Sequence, residues 1–461
     1  MENAWDYEFQ WTDEHFTPEQ LHPLKYSYDE LADGCLERLN KISPPFNPAE
    51  TKNGTGDKQG ESQAEKAQGK PRDLYALLRD HATEDDQLEK LWKEVNTVPD
   101  FVDWEQISRG QEVFYRYGGP ALNGLAYQSL LGGMGANRVV ETLARTGGFS
   151  TKVARRRMFE TTQHILQCTM SLDSIKPGGE GHASSVRVRL LHAAVRQRIL
   201  KMAQTRRDYY SVENWGIPIN DLDCIATIGT FSATLIWLSF PRQGLWLRDQ
   251  EIKDYIALWR LIAWYTGTPT DTFETPEKAR AMMESLLISE IEPSETSKIL
   301  ANNIIKSLEA QPPGYASRDF LYASARWLNG DALSDRLGLG RPSIYYWLLV
   351  VGQNLFFMGI CYLYRSVPFL DRRKISTLRR LFYTIIVERQ TGLAGKPTLF
   401  EFKYVPEYHT LTQMGEPEEE ATKRVGVERR NLRALLIATI CLGLVTWCGV
   451  KVVFGLAGLL I

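Results

Sequence analysis

VRVRLLHAAVRQRIL, residues 186–200, decides how the chain is read. Val188, His192, Val195 and Ile199 fall at steps of four, three and four, the repeat of a helix that lays one apolar stripe against a core. Similar apolar periods recur from 74 to about 308. They are broken by Gly118-Gly119-Pro120, Gly147-Gly148, Pro177-Gly178-Gly179 and Gly216-Ile217-Pro218. No stretch alternates convincingly between apolar and polar residues, so the predicted fold class is all-α, a single large helical domain.

The charge balance narrows the partners. With 54 basic and 56 acidic side chains among 461 residues, the net charge of −2 supplies no field that would hold a phosphate backbone, and nucleic acid is not an expected partner. Cys35, Cys168, Cys224, Cys361, Cys441 and Cys448 form no C-x-x-C pair and no zinc-ligand spacing, and read as reduced thiols facing the cytosol. The first residues, MENAWDYEFQWTDEHF, lack the basic region and apolar run of a secretory signal. Residues 18–42 carry helical spacing, whereas 47–73 offers almost nothing to bury and is expected to be a mobile loop.

The C-terminus differs. ALLIATICLGLVTWCGV (434–450) is uncharged and runs on, after Lys451, through VVFGLAGLLI. That is long enough to span a bilayer, and Lys423, Arg424, Arg429, Arg430 and Arg433 crowd its near side, which keeps the folded part cytosolic. A tail anchor is expected, the alternative being a buried terminal helix of the core. YYWLLVVGQNLFFMGICYLY (345–364) is also long enough to span, but Gln353 and Asn354 sit at its centre, leaving it either a core helix or a membrane-dipping one. The expected division is an N-terminal helical segment (1–46), the loop (47–73), the helical domain (74–430) and a C-terminal transmembrane anchor (431–461).

Chemistry is scarce among the seven histidines. A neutral imidazole on an apolar stripe, as His192 presents, has what a haem iron needs from its proximal ligand: an unprotonated nitrogen, a dry pocket and a rigid mount. Arg189 and Arg196, three before and four after, would reach the carboxylates at a haem edge. Read alone, the signal is weak, because a lone histidine on an apolar face is more often a satisfied core residue. In ARRRMFETTQHILQC (154–168), Arg157, Glu160 and Thr161 share one helical region, with His164 a turn further. They fit either a hydrogen-bonding and proton-carrying cluster or a solvated face of paired charges.

The order of the motifs adds to this. R-x-x-E-T at Arg157 to Thr161, R-x-R-L-L-H-A-x-V-R at Arg187 to Arg196, W-G-x-P-I-N at Trp215 to Asn220 and DLDCIATIGTF at Asp221 to Phe231 resemble the catalytic domain shared by latex-clearing rubber oxygenases and ER-bound oxygenases of the MpaB type, over about 109–267. The resemblance implies that His192 is the proximal ligand of haem b iron and that Arg157 and Thr161 line the distal side. Glu160 departs from the lysine of rubber oxygenases, which puts rubber itself in doubt as substrate. The implied protein is a haem-dependent oxygenase using O₂ on a lipophilic isoprenoid or polyketide-like chain in fungal secondary metabolism, anchored in the endoplasmic reticulum membrane. The alternative is a membrane-tethered scaffold or lipophilic-ligand carrier with the same fold.

Overall fold

A computed structural model describes residues 1–45, 72–147, 149–151, 153–400 and 426–457. Apart from Arg72 and Asp73, the stretch expected to be a mobile loop lies outside the described residues.

The helical class holds, with one addition at the start. β1 (Glu2–Ala4) and β2 (Tyr7–Phe9) form an antiparallel hairpin, turned by Trp5 and Asp6 at φ of 54° and 60°. Its strands are too short to leave an alternating pattern in the sequence. The longer helices follow as α1 (Glu30–Ile42), α2 (Leu74–His81), α3 (Asp86–Asn96), α4 (Trp104–Arg116), α5 (Asn137–Thr146), α6 (Ala154–Thr169) and α7 (Glu180–Thr205). Then come α8 (Asp221–Phe231), α9 (Asp249–Tyr265), α10 (Pro276–Ser289), α11 (Glu295–Leu308), α12 (Arg318–Arg336), α13 (Ile344–Arg365), α14 (Pro368–Tyr383) and α15 (Val427–Ala457).

Local chemistry starts many of these elements. Asp29, Asp73, Asp85 and Asp103 precede α1 to α4, and each side chain accepts a first-turn N–H, a cap worth about 0.5–2 kcal/mol. Packing then decides their places. α4 and α9 approach so closely that a Cβ on Gly110 would lie 2.3 Å from Asp254 O, and Arg109 grips Asp254 with two hydrogen bonds at 2.8 and 3.0 Å. The aromatic run 256–267 builds the core, as its spacing predicts: Trp259 and Tyr265 are buried, and Trp259 stacks on Phe231 at 5.0 Å.

α7 is the central post. One side packs on α1, α2 and α3 through Ala183, Val186, Leu190 and Ala193, meeting Ala32, Leu36, Leu78 and Leu88. Another faces α6, and a third gathers Leu191, Val195 and Ile199 with Tyr209, Tyr210 and Phe400.

α13 and α15 differ from the rest. Among the described residues, three stretches are long and apolar enough to cross a membrane: Asp221–Arg242, Ile344–Arg365 and Val427–Val452, with 61%, 39% and 0% of their apolar 18-residue windows buried. The first lies inside the fold. α13 buries Gln353 and Asn354 but leaves Ile344, Tyr345, Leu348, Leu355 and Leu363 exposed, so it is a core helix on one face only. α15 is rooted by Asn431, fully buried, whose Nδ2 donates to Gln353 Oε1 at 3.2 Å; farther along, Leu436, Ile437, Ile440, Leu444 and Val445 are exposed. It is not a packed terminal core helix.

Candidate active site

The site begins where α6 and α7 meet. A Cβ on Gly181 would stand 2.6 Å from Gln167 O and 2.8 Å from Cys168 Cα, so only glycine lets the two backbones come this close. The next residues of α7 towards the site are also small. Ser185 Oγ donates to Gly181 O at 2.8 Å and lies 3.6 Å from Cys168 Sγ, and Ser184 Oγ lies 2.8 Å from His164 Nδ1. Farther along the pair, Val188 and His192 on α7 are half-buried and Thr161 on α6 is exposed. The two backbones touch at Gly181, and His192 and Arg157 stand towards the other end of the pair.

His192 is half-buried. Its imidazole has no hydrogen bond or ion pair among the described residues, and open space remains against part of it. Burial pushes its pKa down to about 4, and the nearby positive charge of Arg196, with His164 behind it, pushes the same way. At neutral pH it is an uncharged ring with an available nitrogen. His164, buried, is also held near 4 by desolvation, but its Nδ1 is satisfied by Ser184 and its ring meets Phe400 edge-on at 6.1 Å. The two histidines on facing helices thus differ: His164 is buried and bonded to Ser184, whereas His192 is half-buried and has no hydrogen-bond partner among the described residues.

Arg157, Glu160 and Thr161 come together on α6. Glu160 pairs with Arg157 at 3.3 Å and with Arg156 at 3.1 Å, and its side chain keeps only 12% of its exposure. Arg157 is close enough to His192 to bear on its protonation. Thr161 makes no hydrogen bond among the described residues.

Arg189 and Arg196, expected at cofactor carboxylates, are met by carboxylates of the protein. Arg189 donates to Asp29 at 2.5 and 3.0 Å and to Glu94 at 2.7 Å, and is 4% exposed. Arg196 donates to Asp33 and to Ile219 O at 3.1 Å, and stacks over Tyr28 at 4.8 Å. Both face the α1 side, where they fix the helix that carries His192.

Several site residues left no mark in the sequence reading. Gln163, buried on α6, uses both ends of its amide on one residue: Nε2 donates to Thr398 O at 3.1 Å and Oε1 accepts from Thr398 N at 2.8 Å. This ties Thr398, and with it Phe400, to α6. Arg145 lies under Tyr209, Tyr210 and Trp215 at 5.5, 5.4 and 4.8 Å and donates to Tyr209 O, fixing the aromatic wall. Their roles arise from contacts 64 and 235 residues apart in sequence, which no local spacing encodes.

Among the described residues, no three His, Cys, Asp or Glu side chains gather as a ligand set. The available coordination is a single imidazole. A macrocycle that brings its own equatorial nitrogens needs no more than that from the protein, so an orphaned neutral His192 beside the apolar cluster of Leu191, Val195 and Ile199 fits haem.

Comparison with known proteins bears on the same region. Residues 115–351 match the family model described as ER-bound oxygenase mpaB/B'/Rubber oxygenase, catalytic domain. The match contains α6 and α7 whole and runs beyond the 109–267 marked by motifs. A search of curated proteins finds no match. Among solved structures the chain is similar to that of latex clearing protein, LCP, in the closed state: 17% identity and a TM-score of 0.57, covering 81% of this chain and 96% of that one. At that identity the likeness concerns the fold.

Proposed function

The chain belongs to the family of ER-bound MpaB-type oxygenases and rubber oxygenases, and on that premise we propose that it is a membrane-anchored, haem b-dependent oxygenase. The observation that carries this reading is the state of His192: neutral, half-buried, without a partner among the described residues, and on the helix that carries the family-like motif.

In this reading His192 holds the haem iron, and the haem supplies the activation of O₂. The protein's part is positional. Arg189 and Arg196 keep α7 fixed through Asp29, Glu94 and Asp33, so that the imidazole presents one nitrogen in one direction. Arg157 and Thr161 offer hydrogen-bond donors from the facing helix, Thr161 with its hydroxyl unengaged. Glu160, held between Arg156 and Arg157, is placed to carry a proton. Phe400, Tyr209 and Tyr210 pack with Leu191, Val195 and Ile199 and give the His192 helix an apolar flank. The substrate is a lipophilic isoprenoid or polyketide-like chain, oxidised or cleaved in fungal secondary metabolism, and α15 holds the domain on the cytosolic side of the endoplasmic reticulum membrane, where such a substrate partitions. The residues divide as a helical oxygenase domain over 74–430 and an anchor over 431–461, with the N-terminal helices packed on α7.

The test is an absorbance spectrum of the full chain purified in detergent, with a pyridine haemochrome assay. A Soret band and about one haem b per chain support the reading. A chain that carries no haem after reconstitution with hemin is a scaffold or lipophilic carrier, not an oxygenase of this kind.

A further inference from the structure

Large apolar side chains gather, exposed, where α13 ends. Trp246 is 59% exposed, Leu363 62%, Val367 42% and Phe369 63%. They form one surface. Trp246 N donates to Tyr362 Oη at 3.2 Å and Arg365 Nη1 donates to Trp246 O at 2.8 Å, locking the loop before α9 onto the end of α13, and Val367 and Phe369 follow in the turn into α14. Isolated exposed apolar residues are ordinary, but a set held at one fixed end of a helix, an indole and a phenyl ring among them, is a contact surface.

Its surroundings in sequence carry more exposed base than acid: Arg248, Arg372 and Arg373 are exposed, with Asp249 beside the first, whereas Asp371, the acid in the first turn of α14, is buried and paired to Arg116 at 2.6 Å. Aromatic rings with arginines beside them in sequence match the boundary layer of an anionic bilayer, where rings sit at headgroup depth and guanidiniums meet phosphate. The surface is also continuous with α15. Gly352 of α13 lies so close to α15 that a Cβ would stand 2.1 Å from Asn431 O. Beside that contact the two helices bound an open groove of about 570 Å³, with Leu355, Ile360, Leu363 and Ile437 on its walls and Arg429 and Arg433 at its edge.

We propose that the end of α13, Trp246 and the Val367–Phe369 turn are seated in the headgroup layer of an anionic bilayer, a second attachment that fixes the orientation of the domain beside α15. The inference rests on reading α15 as the anchor. With two attachments the domain does not swing on its tether, and the same face meets the membrane at every encounter.

The test uses the full chain in phosphatidylcholine–phosphatidylserine vesicles, with Cys441→Ser and Cys448→Ser removing the exposed thiols. An environment-sensitive fluorophore is placed in turn at Phe369→Cys, Leu363→Cys, Val445→Cys and Lys90→Cys. At 369 and 363 we expect blue-shifted emission that brominated lipid quenches and aqueous iodide does not, as at 445, with the opposite at 90. Quenching at 445 with iodide access at 369 and 363 equal to that at 90 overturns the second attachment while keeping the anchor. Shielding of 369 and 363 from both quenchers overturns it in favour of a protein occupant, a second copy or another part of this chain. Bromolipid quenching at 369 and 363 without quenching at 445 upholds the surface and removes α15 as the anchor.

Discussion

His164 Nδ1 lies 2.8 Å from Ser184 Oγ, and this contact joins the two helices that carry the two halves of the site. It stands one helical turn from Gly181, where the backbones touch, and two turns from His192. The close contact at one end therefore fixes how the helix that carries His192 lies against α6.

Gly181→Ala tests that contact. The added methyl meets Gln167 O and the Cys168 backbone, which do not yield as a flexible side chain would, so stability falls by about 1–3 kcal/mol. Gly133→Ala is the control, with nothing within 4 Å of its Cβ, and shifts the urea midpoint little. Equal midpoints for the two variants would mean that α6 and α7 have room to spare at Gly181.

Asp29→Asn addresses the mount of His192. The substitution leaves the buried Arg189 guanidinium with Glu94 as its remaining carboxylate, and breaking a buried pair on one side costs roughly 3–5 kcal/mol. Urea unfolding followed by circular dichroism reads this directly. A loss below about 1 kcal/mol would place the pair among surface bridges in energy.

The pH dependence of stability has a defined sign at His182. This ring is fully buried at the start of α7: Nε2 donates to Val95 O at 2.8 Å and Nδ1 accepts from Gly178 N at 3.1 Å, so both nitrogens are satisfied only in the neutral form. Burial lowers its pKa below 6.5, against the smaller opposing effect of the Val95 carbonyl. The unfolded chain therefore binds a proton more readily, and the stability from neutral His182 is complete above pH ~6.5 and declines as the pH falls below it, by at most about 1.4 kcal/mol per unit. His182→Gln flattens that slope in urea midpoints measured from pH 7.5 to 5.0; an unchanged slope assigns the acid sensitivity elsewhere.

The anchor has a cut site that respects the packing. Asn431 is buried against Gln353, so a chain ending at Ala438 keeps that contact and loses the exposed apolar stretch. We expect the full chain to resist alkaline carbonate and the shortened one to be released by it. Retention of the shortened chain in the carbonate pellet would mean that α13 itself crosses the bilayer.

Much of this was legible in the sequence, for identifiable reasons. The helical class follows from apolar spacing over whole helices, and His192 stands out because its stripe is otherwise aliphatic. The exposed length of α15 follows from its uninterrupted apolar run. The partners of Arg189 and Arg196 did not follow: an arginine beside a candidate ligand looks the same whether it awaits a cofactor or is already met by Asp29 and Asp33 from α1, more than 150 residues away. Gln163 and Phe400 were silent because the clamp at Thr398 is a tertiary contact. The paired amides Gln353 and Asn354 left α13 open to two readings, and the fold buries the face that carries them while leaving the other bare.

The central claim is that His192 holds haem iron, and the most direct measurement is haem retention in His192→Ala beside His164→Ala. On the proposed reading haem would be held by apolar contact and one iron–imidazole bond, and alanine preserves the helix, so the variant should keep its circular dichroism and lose its Soret band and pyridine haemochrome yield. His164→Ala should keep both, because its imidazole is spent on Ser184. A normal Soret band in His192→Ala, with loss of haem from His164→Ala, would contradict the account and move the ligand to α6.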